Sequence, residues 1–507
     1  MGRKLCKMSS RSSRPHRLVF ESLERRHMLA GNVSAQLING VLQVTGDAAD
    51  NKIECFESGA DFVIRGESGT LINVLPETKF AKNQITSIDI RMGDGHDVVL
   101  VDKINASGNT LTGAVSILGE KGRDILALGS TGHNKFFGRV LVDLGMDGGT
   151  VTIDDTEALA NANGDALRVT SASGDCVIAL GRTRPNKSAG NVAISTASGA
   201  DTITVEQLMC SGIFSIDTAD GADTVTAGSL NPSTSTSVSA RGELDIRLGD
   251  GPDSLVLDAV HIAGNITIDT GAGGAPDQVT LGDGTNPATT TQTTQDGKGS
   301  STKGNLLIRT GDGNDSVAVN YTTVAGRLSI DLGRSDGAAV LTSPNLIVRN
   351  SSVSGNVDLG AEASSMPMLA GRTATNQIAI AAFNVGGSMA IRGGDGADVI
   401  DIRGSLVTAS TLSIDAAAGA DTIKLDHSIA RSFLLLTGGA ADVAEVTANL
   451  IDDFFLDLGQ EADRCLLSGA SFRRYGFATG KGALGQGTMF SLDTPSDVFS
   501  YQGITPG

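Results

Sequence analysis

The chain has 507 residues, with 65 Gly, 11 Pro, 3 Tyr, no Trp and a formal net charge of −18. Glycine stands near twice its usual share, yet so little proline and no three-residue period exclude a collagen-like chain, and a 40% apolar fraction excludes wholesale disorder. The charge is divided: Arg3, Lys4, Lys7, Arg11, Arg14, Arg17, Arg25 and Arg26 against Glu21 and Glu24 make residues 1–30 a formal +6, which leaves −24 on the remainder. That balance repels nucleic acid and anionic membranes and attracts cations.

Residues 1–33 read as a basic, disordered, export-associated segment without the apolar run of an ordinary signal peptide, and no stretch of the chain approaches a membrane span. Within it, Leu23-Glu24-Arg25-Arg26-His27-Met28-Leu29 resembles the LEPR-XLL motif at the N-termini of large secreted bacterial proteins, with Arg25 in place of Pro and Met28 in place of Leu. The resemblance implies export to a secreted or cell-surface location. A basic arm on a cytoplasmic protein is the competing reading. Cys6, Cys55, Cys176, Cys210 and Cys465 are far apart, odd in number and form no CxxC pair, so they predict core side chains and not a disulfide or zinc framework.

From residue 34 onward the chain repeats itself. LDIRLGDGPDSLVL (244–257), LLIRTGDGNDSVAV (306–319), MAIRGGDGADVIDI (389–402) and LSIDAAAGADTIKL (412–425) each read as alternating apolar residues, a Gly/Asp turn and alternation again, hence strand, turn, strand. The last Asp of each turn marks the period: Asp97, Asp124, Asp175, Asp201, Asp223, Asp253, Asp277, Asp315, Asp398, Asp421, Asp442 and Asp463, with aligned turns at Thr150, Ala339 and Ala363 that lack the acid. Most intervals are close to 24 residues, and two long ones hold polar stretches, 286–304 and 361–377, which read as inserted loops.

Units this short cannot bury an apolar face alone. The fold expected is therefore all-β, a right-handed parallel β-helix (β-solenoid) of about 24-residue turns with polar loop insertions, over 34–465. Fifteen markers spaced by the usual strand separation predict a rod about 67 Å long. The alternation over 38–66 predicts the start of the stack. Six aromatics, Phe472, Tyr475, Phe477, Phe490, Phe499 and Tyr501, predict a C-terminal cap at 466–507.

The turns resemble the calcium-binding nonapeptide G-G-x-G-x-D-x-U-x of RTX proteins. Gly393, Gly394, Gly396, Asp398 and Ile400 fill every defined place; Gly311, Gly313, Asp315, Val317 and Gly93, Gly95, Asp97, Val99 fill all but the first. In RTX modules the motif recurs every nine residues, whereas here one copy occurs per turn, so the resemblance is to the loop and not to the whole β-roll. It implies Ca2+ as the cofactor, with Asp94, Asp97, Asp201, Asp223, Asp250, Asp253, Asp312, Asp315, Asp395, Asp398 and Asp421 as candidate metal ligands. Stacked carboxylates repel by roughly 0.9 kcal/mol per pair even in water, which also favours a cation. The other reading is an Asx-turn, each Asp bonding its own turn amides and pointing to water.

Catalytic patterns are sparse. The six histidines, including His96 in a turn, form no HExxH and no spaced pair, and there is no GxSxG elbow. Arg247, Arg309 and Arg392 precede the turns and are expected to face solvent and offset the acids. Sugar-processing grooves use aromatic platforms, and the body offers Tyr321 and scattered Phe. The sequence thus predicts a non-catalytic secreted or cell-surface structural or adhesive repeat protein, with cell-surface or extracellular-matrix partners and no nucleic acid, membrane span or identified small-molecule substrate. The alternative is a carbohydrate-active enzyme, a polysaccharide lyase or glycosidase, on a parallel β-helix.

Overall fold

The computed structural model describes residues 31–478, except 106–110, 161–163, 229–236, 283–298, 334–344, 361–375, 448, 458, 460–463 and 469–470. The described residues form a parallel β-solenoid. Each coil has three sides. In one example the first side is Thr202–Val205, following the Gly/Asp turn, the second is the short Leu208–Cys210, and the third is Phe214–Asp217. The next coil lays Thr224–Gly228, Val238–Ala240 and Leu244–Arg247 on these in parallel register.

Alternation decides what enters the core. In Thr202–Val205 the threonines face out while Ile203 and Val205 are buried, and Ile203 stacks on Val225, then Leu255, Val279 and Val317 in successive coils. Each aliphatic side chain removed from water in this way contributes about 1.5–3 kcal/mol, and one coil alone would have no neighbour with which to form its ladder. The core is aliphatic, with Phe136, Phe214, Phe383, Phe433 and Phe454 as its largest members beyond the first coils. Cys55, Cys176, Cys210 and Cys465 are buried within it as free thiols, as expected of core residues.

The glycine content follows from coil-to-coil approach. Gly251 has φ +155°, and a Cβ there would lie 1.4 Å from the Gly221 carbonyl oxygen of the coil before it. No other residue fits at that separation.

The ends differ from the middle. At the N-terminal end, Val41–Thr45 and Lys52–Ser58 start the parallel stacks on Ser87–Arg91 and Val98–Asp102. Their other edges are covered by antiparallel strands: Asn32–Ile38 through the Asn39-Gly40 turn, then Asp61–Gly66 and Glu77–Ala81. This places the start of the stack where the alternation over 38–66 put it, and adds hairpins that periodicity alone does not show. Toward the C-terminus the second and third sides merge into single long strands, Leu406–Asp415, Ile429–Leu436, Leu450–Asp457 and Ser471–Ala478. Arg464–Ser468 and Ser471–Ala478 pair as a further coil beyond residue 465, and residues 479–507 of the expected cap lie outside the described residues.

The polar stretches are not loops throughout. Ser301–Thr302, at the end of 286–304, pairs with Val260–Ile262 and with Thr323–Val324. Residue 377 opens strand Gln377–Ala381. Most of both stretches lies outside the described residues, as do residues 1–30 with the LEPR-XLL-like motif.

Candidate functional site

The Gly/Asp turns stack along one edge of the solenoid and present two rows of acids. The inner row comprises Asp97, Asp124, Asp201, Asp223, Asp253, Asp277, Asp315, Asp398, Asp421 and Asp442, none more than 4% exposed. Strand register places each one position before the first side begins, which aligns Asp223 with Asp253 and Asp398 with Asp421. The outer row includes Asp94, Asp250, Asp312 and Asp395, three residues earlier in the turn.

Each inner carboxylate is tied to the coil before it. Asp97 Oδ1 accepts the Asn51 N–H at 2.7 Å, Asp124 accepts from Asp97 at 2.8 Å, Asp223 from Asp201 at 2.8 Å and Asp253 from Asp223 at 2.8 Å. The same link joins Asp277, Asp315, Asp421 and Asp442 to the amides of Asp253, Asp277, Asp398 and Asp421 at 2.8–2.9 Å. These bonds replace backbone ladder bonds that the turn interrupts, and leaving a buried amide unpaired would cost about 1–3 kcal/mol each.

This corrects two expectations. The marker acids do not point to water, and they do not generally cap their own turn. Own-turn Asx bonds are made by a different set: Asp143, Asp269, Asp331, Asp415 and Asp457 each accept the amide two residues on, as in Asp269 Oδ1 from Gly271 at 3.1 Å. Asp398, in the turn that matches the RTX nonapeptide best, is the exception, its Oδ2 also accepting the Gly394 N–H at 2.6 Å. Asp175 is off the inner row as well. Cys176 occupies that place, donating its amide to Asp201 Oδ1 at 2.7 Å, while Asp175, exposed one residue earlier, accepts the Ala200 N–H at 2.9 Å. Gly149, and not Thr150, is the position without an acid in its coil, aligned with Asp124 and Cys176. Ala339, Ala363 and Asp463 lie outside the described residues.

The second oxygen sets the electrostatics. Oδ2 of Asp97, Asp124, Asp201, Asp223, Asp253, Asp315 and Asp421 is buried with no hydrogen-bond partner. Burial, reinforced by the neighbouring acids of the row, pushes Asp97, Asp253 and Asp315 up to about 7 and Asp421 up to about 8. Burial also lifts Asp124, Asp223 and Asp398 to about 6, where backbone hydrogen bonds offset part of the effect. The space for the second oxygen is built in: a Cβ on Gly119 would sit 2.1 Å from Asp124 Oδ2.

The outer row is more open, with Asp94 and Asp250 exposed and Asp312 and Asp395 half-buried, and it pairs differently. Asp94 meets Lys121 of the next coil at 3.3 Å, and Asp250 accepts the Ala272 N–H at 3.1 Å while its own amide donates to Asp220 Oδ1. Asp94 and Asp97, or Asp250 and Asp253, thus belong to one turn but to opposite sides of it. Among the described residues no group of three or more His, Cys, Asp or Glu side chains converges as a metal cage. Arg247 faces solvent as expected, paired with Asp245 at 2.9 Å.

A second polar feature sits where the first side meets the second. Asn134 Oδ1 accepts the Ile104 N–H at 3.0 Å and its Nδ2 donates to Val101 O at 2.8 Å; Asn186 does the same with Thr156 and Ile153. Sequence reading missed it, although GSTGHNK (129–135) and GRTRPNK (181–187) carry the same spacing. Beside it, Asp155 bonds His133 Nδ1 at 2.9 Å and Arg184 Nη1 at 2.6 Å, and Glu157 bonds Lys187 at 2.9 Å. Against the opposing effect of burial, the Arg184 and His133 bonds hold the Asp155 carboxyl below its ordinary value, and the Lys187 bond does so for Glu157. Both carboxylates are therefore ionised and paired at neutral pH, whereas glycoside hydrolysis needs one of two acids kept protonated.

Among the described residues, no helix is long and apolar enough to cross a membrane. Compared with protein-family models, with curated proteins and with solved structures, the chain matches none.

Proposed function

We propose that this is a non-catalytic structural or adhesive repeat protein of the secreted or cell-surface class. The observation that carries the reading is the inner row: acids with raised pKa values usually mark reactive sites, but here each spends one oxygen on the backbone of the neighbouring coil and none lies open to a substrate. The acids hold the rod together. The polysaccharide lyase or glycosidase alternative would need acid–base groups such as those at His133, Asp155, Glu157 and Arg184, and these are consumed in ion pairs. Incubation with a panel of acidic and neutral polysaccharides tests the reading. No new reducing ends or unsaturated products are expected, and turnover abolished by Asp155→Asn would overturn it.

Export is the second part of the proposal and rests on the LEPR-XLL-like residues 23–29. Antibody detection in fractionated source cells should place the protein outside the cytoplasm. Calcium is the third part, proposed as a stabiliser of the turns. Its support is electrostatic: burial and mutual repulsion raise the inner carboxyls, so a species that neutralises the row stabilises the coil. Melting at pH 8 with millimolar calcium, compared with chelator, should raise Tm. An unchanged Tm would leave the proton as the neutralising species and remove calcium from the reading.

A further inference from the structure

We propose that the first side of the solenoid is a self-association face, on which a second copy of this chain docks sheet to sheet. Outward positions on this side form two columns, running in unbroken parallel register from Val98 and Leu100 to Gln278 and Thr280. Across these eight strands the columns hold Val, Leu, Ile, Ala, Thr, Ser and Gln, and no charged residue. Ile125 and Val177 are 46% and 45% exposed there, and Thr202 and Thr224 stand exposed on adjacent coils. The third side contrasts with it: its outward positions include Asp89, Arg91, Arg168, Asp217, Asp245 and Arg247.

Charge and area together point to a like partner. Two copies that each carry a formal −18 repel, and the repulsion is least where neither contributes a charge to the contact. Flat β faces of this composition pack about 10 Å apart with strands nearly aligned, and a two-fold axis lying in the plane of the contact sets the patch against itself. Eight strands at about 4.8 Å and about 17 Å of strand length give about 650 Å² per copy, or about 1,300 Å² in total, within the range of a specific interface. The proposal holds whether or not the protein is catalytic.

Sedimentation velocity of the full chain over a concentration series tests it. A dimer is expected for the unaltered chain. The double variant Thr202→Glu with Thr224→Glu adds four carboxylates across the contact and should shift the population to monomer. Ala193→Glu with Ser215→Glu places the same charge on adjacent coils of the third side and should leave the dimer intact. Far-UV circular dichroism and a retained cooperative thermal transition establish that both variants fold. A monomer at every concentration, or a dimer indifferent to the first-side pair and broken by the third-side pair, overturns the proposal. Retention of a monomeric protein on an insoluble polysaccharide, lost in the Thr202/Thr224 variant, would also overturn it and assign the face to a flat polymer.

Discussion

Asp250 and Asp253 stand three residues apart in one turn and live in different solvents. Asp253 is 3% exposed, gives Oδ1 to the Asp223 amide at 2.8 Å and keeps Oδ2 in the interior without a donor. Asp250 is exposed and bonds amides along the turn surface. The difference shows that the repeated acid of this solenoid is two residues with separate tasks. The outer one is replaced by Ser198 in the turn before Asp201 and by Ala418 in the turn before Asp421, without loss of the coil. Among the described residues the inner one yields to Asn51 in the first coil, to Gly149, whose amide goes to the Asp175 carbonyl at 3.1 Å, to Cys176, and to Asn376 beside the Asn345 amide link.

The sharpest way to break the comparison is to remove the inner side chain. Asp253→Ala strands the buried Asp223 amide and opens a gap between coils, and the loss expected is about 1–3 kcal/mol. The midpoint of urea unfolding should fall, while Asp250→Ala leaves it nearly in place. Equal effects of the two substitutions would show that the rows are not distinct. Because coils contact only their neighbours, the loss is expected to show first as local hydrogen exchange in the strands flanking residue 253.

The pH dependence separates the rows next. The carboxyls of Asp97, Asp124, Asp223, Asp253, Asp315, Asp398 and Asp421 are raised from 3.8 to between about 6 and about 8, so the folded chain holds protons that the unfolded chain has released. The sign follows: this contribution to stability is fully present below 3.8 and is lost as pH rises through about 6 to about 8. Without added cations, the urea midpoint should fall between pH 5 and pH 9. Asp253→Asn keeps the Oδ1 acceptor and cannot ionise, so it should flatten the upper part of that profile where Asp250→Asn does not. A midpoint that rises with pH over this range would mean that the inner acids are ionised and compensated.

The solenoid was legible because its cause is local: alternation of apolar residues around a Gly/Asp turn fixes strand, turn and coil length, and aliphatic residues without Trp suit a narrow core. The hairpins at 32–81 were less legible, since antiparallel and parallel strands share one alternation, although Asn39-Gly40 is a hairpin signal in its own right. At the site, sequence located the acids but not their direction. Spacing cannot tell an Asp that bonds its own turn from one that bonds the coil before, because the partner amide lies 21–46 residues away in chain order, as for Asp421 with Asp442 and Asn51 with Asp97. The one-residue slip at Asp175 has the same origin: Asp175 and Cys176 are adjacent, and only pairing with Thr202 through Val177 decides which faces inward.

The smallest expected effect belongs to the outer row. Lys121 and Asp94 approach to 3.3 Å with both side chains more than half exposed, so water and salt screen the pair. Lys121→Ala should therefore move the urea midpoint by no more than the scatter of repeated measurements, and whatever shift exists should vanish in high salt. The inner row gives the opposite signature, since a buried acid bonded to an amide is screened little by added salt. Salt dependence of the Asp253→Ala loss that matches that of Lys121→Ala would place both acids in the same environment, contrary to their burial.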